Sequence, residues 1–158
     1  MKGWLKVLMI SAIAFAPAAV RAQNMPPHGA SAQAVFLKLQ DLKWQKTNPE
    51  LGSNSPEISI LHESPQETEL LLRNPKNFHV PRHWHSADET ITIIRGTFVL
   101  KHDGSEDRVS LDAGSFAWLP AKMIHEAWTK PDEDALLFIT ADGAFDINWV
   151  EGPPKLTQ

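Results

Sequence analysis

His83-Trp84-His85-Ser86-Ala87-Asp88-Glu89, followed by six residues and then Gly96, is the stretch that decides how this chain is read. Two imidazoles stand two positions apart, and a carboxylate follows four positions after the second. Along an extended strand, side chains at even separation face the same way. His83, His85 and Glu89 share parity, so a bend at Ser86-Ala87-Asp88 that preserves the strand direction brings all three to one side. Imidazole nitrogen and carboxylate oxygen are ligands that divalent transition metals accept. The run reads as most of a coordination shell.

A fourth ligand lies downstream. Gly114-Ser115-Phe116-Ala117-Trp118-Leu119-Pro120-Ala121-Lys122-Met123-Ile124-His125 reads as a strand, a Pro-marked turn and a second strand opening on His125. The pattern H-x-H-x(3)-E-x(6)-G, followed by G-x(5)-P-x(4)-H, resembles the two signature motifs of the cupin superfamily. The resemblance covers residues 78–150 and implies an all-β fold, a jelly-roll β-barrel. It also implies one divalent metal held by His83, His85, Glu89 and His125. Taken alone, H-x-H would fit two surface histidines on a polar strand. Glu89, Gly96 and a Pro-preceded His125 at the expected distance favour ligation.

The second motif departs from the family twice. Lys122 stands two residues after Pro120, where the family usually has Gly. Gly there supplies a positive φ that a residue with a Cβ reaches only at roughly 1–2 kcal/mol. Either Lys122 is strained or the turn is reshaped. Thr129 takes the place of a frequent Asn four residues after His125, which bears on local hydrogen bonding rather than on the metal.

Lys2 and Lys6 flank an apolar run over 7–16 that is too short to cross a bilayer as a helix. Val20-Arg21-Ala22 offers the small residues a signal peptidase reads, so residues 1–22 are expected to be a signal peptide cleaved near Ala22. An uncleaved anchor is the alternative; cleavage leaves no stable membrane attachment. The remaining 136 residues suffice for one domain with a core. They contain no cysteine, so no disulfide staples them, which suits a bacterial periplasm better than a small secreted scaffold. They carry 12 basic against 19 acidic residues, a balance that argues against nucleic acid as a partner.

Residues 23–56 read as a lead-in and loop, the barrel as 57–150, and 151–158 as a tail. Within the lead-in, Val35, Leu39 and Leu42 fit a helical stripe, while Leu42-Lys43-Trp44 alternates like an edge strand. Beyond it, strands are expected over 57–63, 67–73, 78–85, 89–94, 97–102, 108–111, 115–119, 124–128, 135–141 and 145–150. Short strands punctuated by Pro, Gly, Asn and Asp argue for a sandwich or barrel.

His79 shares the parity of His83 and His85, but four strand residues place it about 13 Å from His83, so it is expected at the rim or surface. His28, His62 and His102 are expected in solvent. Ile91 and Ile93 continue the Glu89 face, and Phe116 with Trp118 is expected to fill the interior; together these would form an apolar pocket wall. Arg95 is expected to be a solvated strand-end charge, with a substrate carboxylate as its alternative partner. Trp84 and Trp128 should lie outside the barrel or at a subunit contact, compatible with a homodimer. The chain has no Tyr, so proton transfer falls to Glu, Asp, His, Lys or metal-bound water.

The expected function is a periplasmic or secreted metal-dependent enzyme on a small organic molecule, of dioxygenase, decarboxylase, isomerase or lyase type. Glu89 is the candidate catalytic ligand. The expected metal is one of Mn, Fe, Co, Ni, Cu or Zn. The competing reading is a binding module without turnover.

Overall fold

The computed structural model describes residues 35–155. The expected signal peptide, residues 23–34 with His28, and residues 156–158 lie outside the described residues. The compact unit begins at Phe36. Among the described residues, no helix is long and apolar enough to cross a membrane.

Among the described residues eleven strands form: β1 Gln45–Lys46, β2 Glu57–Ser64, β3 Glu67–Asn74, β4 His79–Trp84, β5 Glu89–Arg95, β6 Thr97–His102, β7 Val109–Asp112, β8 Phe116–Leu119, β9 His125–Thr129, β10 Ala135–Ala141 and β11 Asn148–Trp149. One sheet runs β1-β2-β3-β10-β5-β8 and the other β11-β4-β9-β6-β7, antiparallel throughout. The ten strands expected from the sequence all occur, the last shortened to Asn148–Trp149. The helical stripe through Val35, Leu39 and Leu42 does not form. A single 3-10 turn at Leu39–Asp41 leads to the edge strand β1 instead.

The sheets face each other across a core of Leu70, Ile91, Ile93, Phe98, Leu100, Leu119, Ala127, Ala135, Leu137 and Ile139. Period-two alternation builds it. On β10, Ala135, Leu137, Ile139 and Ala141 are all buried inward-facing positions. On β5, Glu89, Ile91 and Ile93 share the inner face, all buried. The conserved parity places an acidic group in an apolar row, which is the first sign of a site.

Gly96 turns the chain from β5 in one sheet to β6 in the other. Its φ is +76°, and a Cβ built there would stand 2.2 Å from the Asp134 carbonyl oxygen. The corner therefore requires glycine.

One expectation fails for reasons of register, and a bulge breaks the parity assigned to His79, which lies at the surface as expected. Phe116 and Trp118 are 61% and 55% exposed. Phe116 pairs with Thr92 and Trp118 with Thr90, on the outer face, while Ala117 and Leu119 oppose Ile91 and Glu89 and point inward. The pocket wall on that side is therefore not built from Phe116 and Trp118. His79 does not share the inner face either. Val80 pairs with Ala127 and His83 with His125, so β4 carries one extra residue between them. Pro81 sits in this bulge, where a missing N–H costs no ladder bond.

Candidate metal centre

The four implied ligands come from three places along the chain. His83 is near the end of β4, His85 lies just past it, Glu89 opens β5 and His125 opens β9. All four are at least 95% buried, with exposures of 4, 5, 3 and 3%. The bend between His85 and Glu89 is tied down by two neighbouring loops. The Ser86 N–H donates to the Asp146 carboxylate at 2.8 Å, and the Ser86 hydroxyl reaches its other oxygen at 2.6 Å. The Asp88 N–H donates to Asp142 at 2.7 Å, while the Asp88 carboxylate accepts from the Ala121 N–H at 2.7 Å. The Lys122 N–H donates to the His85 carbonyl at 2.8 Å.

Each imidazole is oriented through its Nδ1. His83 Nδ1 meets the Pro81 carbonyl at 2.7 Å, His125 Nδ1 meets that of Met123 at 3.0 Å, and His85 Nδ1 meets that of Asp146. A carbonyl only accepts, so Nδ1 carries the proton in each ring and Nε2 presents a lone pair. One ring nitrogen from each of His83, His85 and His125 lies within 4.8 Å of the others. Glu89 Oε2 stands 3.5 Å from His85 Nε2 and 3.7 Å from His125 Nε2, and among the described residues it has no hydrogen-bond partner.

Electrostatics set the same direction. Burial, with the nearby His125 second, lowers the His83 pKa to about 3. Burial lowers that of His125 to about 4. Burial also pushes the Glu89 carboxyl up, opposed only by His85. The Glu89–His125 contact is therefore not an ion pair at neutral pH, and Oε2 faces the Nε2 lone pairs of His85 and His125. They are acceptor atoms crowded together, an arrangement that a cation relieves. Three imidazoles whose far nitrogens are held by carbonyls, plus an orphaned carboxylate oxygen, fit a divalent transition ion.

The cluster opens onto a cavity of about 690 Å³ inside the barrel. Ile91 lines it as expected, joined by Ile58, Leu72, Phe98, Leu137 and Ile139, whereas Ile93, also expected in the wall, is packed in the core instead. Phe145 stacks on the His85 ring at 5.0 Å, and Trp149 stands 5.4 Å from that of His83. The sequence reading missed Asn74, Asp146 and both of these aromatics. Ser86 and Asp88 inside the first motif were the available signal, since polar residues at a bend need partners. Among the described residues, no Lys or Arg lines the cavity.

The remaining described histidines lie elsewhere. His79 is on the outer surface, stacked on Trp128 at 4.9 Å and bonded to Glu126 at 3.2 Å. His62 and His102 are exposed, as is Arg95 at its strand end. Trp84 and Trp128 are half-buried. Thr129 serves locally in place of Asn: its hydroxyl accepts from the Phe78 N–H at 2.8 Å and donates to the Pro75 carbonyl at 2.6 Å.

A family profile described as a domain of unknown function, DUF4437, matches residues 12–148. The chain belongs to the DUF4437 family. A search of curated proteins found no match. Among solved structures, the polyketide cyclase RemF from Streptomyces resistomycificus is similar at 15% identity and a TM-score of 0.64, over 75% of this chain and 86% of that one. KdgF from Halomonas sp. is similar at 15% identity and 0.58, over 70% and 96%. An RmlC-like cupin from Shewanella frigidimarina is similar at 17% identity and 0.58, over 71% and 93%. This DUF4437 protein has the cupin jelly-roll fold.

Proposed function

We propose that this DUF4437 protein is an exported metalloenzyme that acts on a small organic molecule inside the barrel. His83, His85, His125 and Glu89 would hold one divalent transition ion. The observation that carries the reading is the convergence of three imidazole nitrogens and a carboxylate oxygen without a partner among the described residues on the wall of an apolar cavity. A site built only to stiffen the fold would be closed, whereas this one borders open volume. That similar folds include a polyketide cyclase and a DMSP lyase supports small-molecule chemistry as the setting.

A bound ion supplies Lewis-acid polarisation of a carbonyl or carboxylate, and electron transfer if it is redox-active. The chain's own contribution is positional and acid–base. The backbone carbonyls of Pro81, Met123 and Asp146 lock the imidazole tautomers. The aliphatic wall excludes water and holds the apolar part of the substrate. Glu89 is the group suited to move a proton, because burial raises its pKa and Oε2 meets no donor among the described residues. No tyrosine competes for that role.

Elemental analysis of the parent should show near-stoichiometric divalent metal, with little in His83→Ala, His85→Ala or His125→Ala and full retention in His79→Ala. Equal metal in all of them overturns the assignment. Oxygen uptake, carbon dioxide release and isomerisation are then followed with Glu89→Gln, whose activity should fall far more than its metal content. Tight organic-ligand binding without metal-dependent turnover would instead make the protein a binding module. The export arm is supported by the Val20-Arg21-Ala22 pattern, and intact mass of periplasmic protein beginning at Gln23 would test it.

A further inference from the structure

Asn74 is the one neutral side chain in the cavity wall whose hydrogen-bonding needs go unmet among the described residues. It is 1% exposed, and neither its Nδ2 nor its Oδ1 has a partner. Its direction follows from parity: it continues the inner face of Leu70 and Leu72 on β3 and lines the cavity beside Leu72. A buried amide left this way costs about 1–3 kcal/mol for each orphaned group, so an apolar residue would serve the empty barrel better.

The position is far from the metal ligands. Asn74 pairs with Ala135 on β10, and Glu89 pairs with Ala141 on the same strand. Six residues of strand separate those levels, about 20 Å. Between them the wall is apolar, formed by Ile58, Leu72, Leu137 and Ile139. The site therefore has two polar ends and a greasy middle.

We infer that Asn74 is a recognition residue for an uncharged amide-like group, a carboxamide or lactam, on an elongated apolar ligand. This deepens the reading of the cavity as a small-molecule site and rests on it. The chemistry selects the group. A carboxylate would satisfy Nδ2 but leave Oδ1 facing an acceptor, and among the described residues no Lys or Arg lines the cavity to balance its charge. An ammonium would satisfy Oδ1 alone. A cis-like amide edge offers one donor and one acceptor, and it meets both Asn74 atoms in two antiparallel hydrogen bonds.

The test measures dissociation constants of octanamide and methyl octanoate by calorimetry. The two are similar in length and apolar area, but the ester has no donor. Parent, Asn74→Leu and Asn74→Ala are each titrated metal-loaded and metal-stripped, with metal content measured alongside. The parent should favour octanamide by about tenfold or more, and both variants should lose that preference while keeping their metal. Equal affinities in the parent, the same preference in the variants, or no binding of either compound would overturn the inference and leave Asn74 to a resident water. Asn74→Ala removes the amide without adding bulk, so the comparison stands if Leu does not fold. Absence of metal with the amide preference intact would sink the metalloenzyme reading alone.

Discussion

Replacing Lys122 with Gly should stabilise the protein. Lys122 has φ +67°, so the turn keeps the conformation that glycine usually supplies, and lysine occupies it under strain. The Cβ clash in this region costs roughly 1–2 kcal/mol. Glycine returns part of that by loosening the unfolded chain, about 0.4–1 kcal/mol. The side chain is exposed and makes no hydrogen bond or ion pair among the described residues, so nothing else is lost. The structural bond at this position is the backbone N–H to the His85 carbonyl, which glycine retains. The net gain is about 0.5–1 kcal/mol, which for a chain of this size raises Tm by about 1–4 °C. Differential scanning calorimetry of metal-stripped parent and Lys122→Gly reads the shift directly. A fall in Tm would refute the strain argument and mean that the turn is held by its lysine. Metal stoichiometry should be the same in both.

Gly96→Ala should be far more damaging than Gly104→Ala, although both positions have positive φ, +76° and +90°. A Cβ at Gly96 collides with the Asp134 carbonyl oxygen at 2.2 Å, whereas Gly104 has nothing within 4 Å. Chemical denaturation should show losses above about 3 kcal/mol and near 1 kcal/mol respectively, and similar losses would refute the packing argument. The metal-stripped protein should also weaken in mild acid. His83 and His125 are held at about 3 and about 4 in the folded state, against an ordinary value of 6.5. Because these folded values are depressed, the unfolded chain takes up protons first, and stability present above pH 6.5 drains away as pH falls toward 4. Glu89, pushed up by burial, acts in the opposite direction, its stabilisation being present at low pH and lost as pH rises. The two histidines together cost about 4 kcal/mol between pH 6.5 and 4.5, and the single carboxyl offsets only part of it, so the net is a loss. Denaturation curves at those two values check it; equal or greater stability at pH 4.5 would contradict the burial of the imidazoles.

Much of this protein follows from local rules. Period-two alternation marks Leu70, Ile91, Ile93, Leu137 and Ile139 as members of common faces, and turn residues at Ser64-Pro65, Asp103-Gly104 and Asp142-Gly143 separate the strands. The spacing of His83, His85 and Glu89 carries their convergence, because a short bend preserves parity. Gly96 is likewise legible, since a corner between sheets demands a positive φ. Parity, however, says which residues share a face and not which face is inside. Phe116 and Trp118 are the bulkier half of β8, yet pairing with Thr92 and Thr90 sends them outward, and only the register with β5 decides that. The extra residue between Val80 and His83 inverts the parity of everything before it, which removes His79 from the inner face; Pro81 was its sole local trace. Asn74 is a strand-end residue that a sequence assigns to a turn. Its burial, its two unmet polar atoms and its place across the cavity from the histidine–glutamate cluster exist only once β3 is laid against β10. Contacts between residues distant in sequence are set by the closure of the two sheets, and no local period encodes them.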